Sequence, residues 1–434
     1  MKPRRPPAEP HVERRERRAL SHVGGEIETR GDETLARALE SALAVEPDEA
    51  SVMAHVHGFH SYPARLHPET AARLVAALSP ERGRVLDPFC GSGTVLVEAR
   101  RLGRRAMGLD ANPLAVELAW LKTRATSPAR REALVATARA CAESADERRR
   151  AKAGPTRRYE ALDRDTFEVH VLLELDGLRS SIARVEEEDV RRALGLALSA
   201  ILTKVSRRPG DTTARREAGR RIAAGYAIRL FVKKTEELAR RLEAYAALLP
   251  PRSPEPLIVL GDARRLREER VDLVLSSPPY PGVYDYVEHH EARLRWLGFD
   301  AKRFARNEIG SRRALRGLSF EQAVTTWRSD FGAVLDGIAR AIRPGGKAAL
   351  VMADSVVGRR ALFADDLMNV LAPSHGLRVA ALGSQARPYF HQPTERAFAK
   401  RARREHVVVL VSAPVEPESG PGRALRARRP GSSS

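Results

Sequence analysis

Between residues 33 and 414 of the 434-residue chain, short apolar runs alternate with stretches whose apolar side chains recur every third or fourth position. Runs of about four to eight mostly apolar residues closed by turn residues read as buried strands, and the longer period reads as amphipathic helix. Seven runs fit the first pattern: Arg84–Asp87, Arg105–Asp110, Leu257–Leu260, Val271–Leu275, Lys347–Met352, Leu377–Ala381 and His406–Val411. Thr94–Leu102 and Pro113–Lys122 carry the helical spacing. Strands spaced by helices predict an open α/β sheet, mostly parallel.

The alternation breaks between residues 124 and 250, where an Ala-, Leu-, Arg- and Glu-rich stretch keeps helical spacing and predicts an insertion of four or five helices. Residues 33–123 and 251–414 are then the two halves of one α/β domain. Residues 1–32, rich in Pro, Arg and Glu, and residues 415–434, mixing Pro, Gly, Ser and Arg, have no apolar period. The first reads as a disordered basic arm and the second as a disordered tail.

The net charge of +19 implies an anionic partner, nucleic acid before an acidic membrane surface. Only nine of the 75 basic residues are Lys, so an Ala/Arg-rich composition accounts for part of that charge. Within the insertion Lys204, Arg207, Arg208, Arg215 and Arg216 are candidates to meet phosphates, the alternative being a solvated arginine-rich helix face. The two cysteines exclude a disulfide scaffold and a Cys-rich zinc module. No apolar run approaches the roughly 18 residues of a membrane span, and Met1-Lys-Pro-Arg-Arg-Pro-Pro7 lacks the apolar segment of a signal peptide. A cytoplasmic protein without a membrane partner is the expectation. His55, His57, His60 and His67 cluster, but no Cys or acidic residue stands at ligand spacing, so no metal is expected.

Asp87-Pro-Phe-Cys-Gly-Ser-Gly-Thr94 sits at a strand end and opens a helix. Gly91 and Gly93 permit a tight turn and close approach of a ligand, and the helix start behind them offers unpaired N–H groups. No Gly-Lys-Ser/Thr follows, so this is not a P-loop. Asp110 ends the next strand, 17 residues after Gly93, where a carboxylate can accept both hydroxyls of a ribose. Glycine turn and acid together fit a nicotinamide cofactor as well as S-adenosylmethionine.

Val271-Asp-Leu-Val-Leu-Ser-Ser-Pro-Pro-Tyr280 is more telling. Two consecutive prolines fix φ and remove two donors, so nearby acceptors are held rigidly. The Ser277 hydroxyl and the Pro278 carbonyl can accept from an exocyclic amine, Pro279 stiffens the turn, and Tyr280 offers a face to a flat base. An ordinary proline-rich turn is the plainer alternative. A dehydrogenase leaves this element unexplained.

At these residues the chain resembles the S-adenosylmethionine-dependent amino-methyltransferases that act on exocyclic nitrogens of bases. Asp87–Thr94, with Phe89 and Ser92 inside it, looks like their cofactor motif. Gly108-Leu-Asp-Ala-Asn-Pro113, with Asp110 and Asn112, looks like the ribose segment. Leu260-Gly-Asp-Ala263, with Asp262, looks like the adenine segment, and Ser277–Tyr280 like the catalytic motif. Phe59–Pro68 is similar to a lead-in of some of these enzymes, which implies that His60 and Tyr62 line the mouth of the cofactor pocket. The resemblance implies a Rossmann-like class I methyltransferase with a mostly parallel seven-stranded sheet, S-adenosylmethionine as cofactor, and direct transfer to a flipped-out base. Serine at the first catalytic position implies cytosine N4 in DNA. Adenine N6 in DNA and a base in RNA, of the guanine-N2 kind, are the alternatives within the class.

Around these motifs, Cys90 reads as a small packing residue rather than a nucleophile. Asp285–His290, with Tyr284 beside it, reads as a wall of the base pocket or a helix start around a buried tyrosine, and Asp354 and Ser355 as its border. Arg387-Pro-Tyr-Phe-His391 reads as a phosphate contact or a plain loop. A non-catalytic nucleic-acid binder on the same fold has no need of the whole motif set.

Overall fold

The computed structural model describes residues 25–46, 48–207, 221–387 and 392–413. Arg208, Arg215 and Arg216, the arm up to residue 24 and the tail from 415 onward lie outside the described residues. Ten strands are present there: β1 (Ile27–Gly31), β2 (Arg84–Asp87), β3 (Arg105–Asp110), β4 (Leu257–Leu260), β5 (Val271–Ser276), β6 (Ile342–Ala353), β7 (Ser355–Val357), β8 (Arg360–Leu362), β9 (Leu377–Ala386) and β10 (Arg404–Ser412). Eight form one sheet in the order β1-β9-β10-β6-β5-β2-β3-β4, and β7 with β8 makes a separate hairpin. Strands β4, β3, β2, β5 and β6 run parallel; β10 is antiparallel to both β6 and β9.

This is the predicted Rossmann-like α/β sheet, and all seven anticipated strands are in it. Two expectations change. The sheet has eight strands rather than seven, because Ile27–Gly31 pairs antiparallel with β9, and the basic arm therefore ends before residue 27 rather than at 32. Those five residues show little apolar patterning, with only Ile27 and Thr29 partly buried, so the strand is held by its ladder with β9 rather than by a buried face.

All six residues of β5 are buried, as fits a central parallel strand covered on both faces. Helices Glu33–Leu43, Pro68–Leu78 and Thr94–Arg101 pack one face through Leu39, Leu74 and Leu96. Helix Phe320–Ala341 covers the other through Phe331, Val334 and Ile338. Burying each such side chain contributes about 1.5–3 kcal/mol.

Among its described residues the insertion holds five α-helices, Pro128–Arg150, Ala161–Thr166, Val169–Ile182, Glu188–Ile201 and Tyr226–Ala246. They share one apolar core with the sheet's own helix Pro113–Thr123: Leu114 and Leu118 pack with Leu175, Leu194 and Phe231. The Tyr245 hydroxyl donates to the Val97 carbonyl at 3.2 Å, a second tie between insertion and sheet layer. No described helix is long and apolar enough to cross a membrane.

Candidate active site

Because β2, β3 and β5 are parallel, Asp87, Asp110 and Ser276 all end on the same edge of the sheet. The chain leaves β2 toward β3 on one side, whereas β5 and β6 continue the sheet on the other. Loops diverge at such a reversal, and open α/β sheets bind ligands in the crevice that results.

The glycine turn is built for this crevice. Gly91 has φ of 50° and Gly93 of 87°, both left-handed. A Cβ on Gly91 would stand 3.3 Å from the Tyr62 ring, in the open hollow, whereas one on Gly93 would meet the Ala119 Cα at 2.9 Å. Gly91 thus keeps the ligand side clear, and Gly93 lets helix Thr94–Arg101 pack against helix Pro113–Thr123. Cys90 is buried, and its Sγ lies 3.2 Å from where a Cβ on Gly108 would stand, a packing position.

Asp110 is oriented by the turn it faces. Its Oδ2 accepts from the Gly91 amide at 2.8 Å and its Oδ1 from the Asn112 amide at 2.8 Å. Each carboxylate oxygen keeps a lone pair for a further donor. Burial pushes the Asp110 carboxyl up to about 6, against the pull of the two amides. Asn112 caps the next helix through the Leu114 amide at 3.0 Å, and its Nδ2 lies 3.1 Å from His290 Nδ1.

A hollow of about 630 Å³, part of it open to solvent, is lined by Tyr62, Phe89, Gly91, Asp110, Asn112, Asp262 and Ser277. A second hollow runs past Asp87, Gly91, Ser92 and Thr94 to Ser277. A third brings Ser277 and Tyr280 together with Arg65, Gln385, Arg387 and Glu405. Ser277 is common to all three. The donor set suits a nucleoside joined to an amino acid: a carboxylate with free lone pairs for a ribose, a Cβ-less approach at Gly91, and helix-start residues beyond it. It therefore fits S-adenosylmethionine.

The Ser277–Tyr280 turn has a defined hydrogen-bond direction. The Tyr280 hydroxyl donates to the Val351 carbonyl at 3.2 Å, and Ser277 Oγ lies 3.2 Å from the Tyr280 oxygen. The tyrosine proton is committed to a carbonyl, which can only accept, so the Ser277 hydroxyl donates to Tyr280. Ser277 Oγ then faces the hollows as an acceptor. The Pro279 carbonyl accepts from Trp327 Nε1 at 3.3 Å, which steadies the turn from helix Phe320–Ala341. Pro278 is buried within the same turn.

Some predicted residues sit elsewhere. His60 does not line these hollows: its Nε2 is 3.1 Å from Ser199 Oγ on the insertion and 2.9 Å from Arg293 Nη1. Its neighbour Tyr62 takes the pocket position. Asp262 lines the first hollow while also pairing with Arg264 at 2.8 Å. Asp354 is fully buried, accepting from the Ala364 and Arg404 amides at 2.9 Å each, and so braces the sheet. Lys204 is exposed and Arg207 partly buried, its amide held by the Thr166 carbonyl at 2.9 Å. Glu98, remote in sequence, stands 2.8 Å from His57 and 2.7 Å from Arg101, so the histidine cluster does have an acidic neighbour. The sequence reading missed Phe304, Asn307, Glu308 and Ile309, which close the first hollow and carry no recognisable motif. It also missed Arg65 in the third hollow, although the lead-in segment contains it.

Residues 40–120 match the family model described as DNA methylase. The Type II methyltransferase M.MvaI of Kocuria varians is 38% identical over 77 residues, 17% of this chain and 17% of that protein. The Type II methyltransferase M2.DpnII of Streptococcus pneumoniae is 54% identical over 39 residues, 9% of this chain and 15% of that one. The chain thus aligns with only about a sixth of the length of these curated relatives. The rRNA methyltransferase aviRa from Streptomyces viridochromogenes overlaps 85% of this chain and 94% of its own at 13% identity and a TM-score of 0.33. Residues 40–120, the stretch that matches the DNA methylase model, are the stretch that holds the glycine turn and Asp110.

Proposed function

We propose that the chain transfers a methyl group from S-adenosylmethionine to the exocyclic N4 of cytosine in DNA. The observation that carries this reading is the acceptor polarity of Ser277, imposed by Tyr280 and the Val351 carbonyl at the meeting point of three hollows. S-adenosylmethionine, when bound, supplies the activated methyl group. Asp110 accepts ribose hydroxyls, and Asp262, in the lining of the same hollow, is assigned to the adenine edge. Gly91 leaves the space that a Cβ would close.

The cytosine amine is conjugated with its ring and is a poor nucleophile. An N–H donated to Ser277 Oγ, and a second to the Pro278 carbonyl, draw that nitrogen toward tetrahedral geometry and free its lone pair. This is catalysis by positioning and by groups oriented before the reaction. A base reaches Ser277 only by leaving the stack, at a cost of a few kcal/mol, least for a base already unpaired. The Tyr280 ring in the third hollow offsets part of that cost. The basic residues of the insertion, Lys204 and Arg207 among them, supply phosphate contacts, and DNA affinity then falls steeply with salt.

The test is mass spectrometry of nucleosides from DNA and RNA incubated with the protein and isotopically labelled S-adenosylmethionine. Label in N4-methylcytosine from DNA is the expected result. Label confined to N6-methyladenine or to an RNA nucleoside would overturn the substrate.

A further inference from the structure

The third hollow contains an unusual cation. Arg387 follows β9, is only 6% exposed, and lines the same space as Ser277 and Tyr280. Its Nη2 is paired with Glu405 of β10. Its Nε and Nη1 are buried without any acceptor. Leaving a buried donor unmade costs about 1–3 kcal/mol, more for a charged group, so two such donors on one guanidinium call for an occupant. Burial lowers the Arg387 guanidinium to about 10, which leaves it charged at neutral pH.

We propose that Arg387 reads the Watson–Crick edge of the target base, with Glu405 as the positioning residue that holds its guanidinium, a role that rests on the methyltransferase reading above. Ser277 Oγ and Arg387 present the hollow with an acceptor followed by donors. Cytosine carries the complement along one edge, the N4 amine as donor and then N3 and O2 as acceptors. Adenine offers its amine and N1, but a C–H stands where cytosine has O2. Guanine, turned to put its amine on Ser277, would set its N1–H against the guanidinium. Arg387 thus selects a base with two adjacent ring-side acceptors, and is a specificity-determining residue that no motif of the chain contains.

The experiment measures binding, so it does not depend on turnover. Protein saturated with S-adenosylhomocysteine is titrated into fluorescently labelled oligo-dC and oligo-dA of equal length, at salt high enough to suppress phosphate contacts. The wild type should prefer oligo-dC by on the order of tenfold. Arg387→Met should bring that ratio close to one, with affinity for S-adenosylhomocysteine unchanged. The double variant Arg387→Met/Glu405→Gln removes the acid left unpaired and guards against misfolding; it should behave alike. A wild type without the preference, a preference that survives in both variants, or failure of both variants to fold would overturn the assignment. Nucleoside mass spectrometry of the wild type reports separately: an oligo-dC preference that Arg387→Met abolishes, beside unlabelled DNA, would sink the proposed activity and leave the base reader standing.

Discussion

The Ser276 hydroxyl donates to Asp87 Oδ1 across 2.6 Å, joining the ends of β5 and β2 although the two residues lie 189 positions apart. The same oxygen accepts from the Phe89 amide at 3.1 Å, so the acid that opens the glycine turn also pins β5 beside it. Asp87 is 3% exposed, and burial pushes its carboxyl up to about 7, against the pull of Ser276 and Phe89.

That shift sets a pH dependence of stability. The folded carboxyl holds its proton up to about pH 7, whereas the unfolded one releases it near the ordinary value of 3.8. The folded state therefore binds more protons through that window, and Asp87's contribution to stability declines as pH rises from about 4 to about 7. Asp87→Asn keeps an acceptor for Ser276 and removes the titration. Scanning calorimetry across this range should show the wild type losing stability relative to the variant, by an amount on the order of a few kcal/mol. Parallel pH profiles would refute the assignment.

Asp110 makes a sharper prediction about ligand. Hydrogen bonds to a charged group contribute about 1.5–3 kcal/mol each, so Asp110→Ala should weaken S-adenosylmethionine binding by roughly ten- to a hundredfold. The Gly91 and Asn112 amides also lose their acceptor, which should lower the melting temperature. Asp110→Asn retains one acceptor oxygen and should fall between. Calorimetric titration giving unchanged affinity for Asp110→Ala would remove the ribose role.

The parts of this site legible beforehand are those whose cause is local. Gly91 follows from a turn that needs left-handed φ, Asp110 from its place at the next strand end, and Ser277–Tyr280 from two prolines that leave the backbone little choice. The third hollow was not legible, because it joins the lead-in Arg65, the Ser277–Tyr280 turn, and the ends of β9 and β10, which meet only through sheet order. In the sequence Arg387 reads as a phosphate contact or part of a plain loop, because its pairing with Glu405 depends on the antiparallel register of two strands. β1 was absorbed into the arm because an edge ladder leaves no apolar period to read.

His60 illustrates the same limit and gives a test. Its partners Ser199 and Arg293 lie 139 and 233 positions away, on the insertion and on helix Tyr286–Leu297. Arg293 is fully buried and also donates to the Ser199 carbonyl at 2.6 Å and to Ser61 Oγ at 2.9 Å. His60→Ala should therefore destabilise the chain, by about 1–3 kcal/mol for the buried donor it strands. Its affinity for S-adenosylmethionine should stay within about twofold of wild type, since a residue off the pocket removes no ligand contact. Thermal melting and calorimetric titration separate the two effects; weakened binding at unchanged stability would return His60 to the pocket.

The polarity of the Ser277 hydroxyl can be tested as a cycle. Ser277→Ala removes the acceptor for the target amine and should cut kcat by on the order of ten- to a hundredfold, with cofactor affinity nearly unchanged. Tyr280→Phe leaves Ser277 in place but deletes the oxygen its proton points to, so that proton is free to turn toward the incoming amine. Its kcat should fall in the same direction and by less. Adding Tyr280→Phe to Ser277→Ala should then cost little more, because both changes act on one acceptor. Single-turnover rates on methylation-free DNA give the three comparisons. Additive losses would mean that the Tyr280 hydroxyl acts independently of Ser277 and does not orient it.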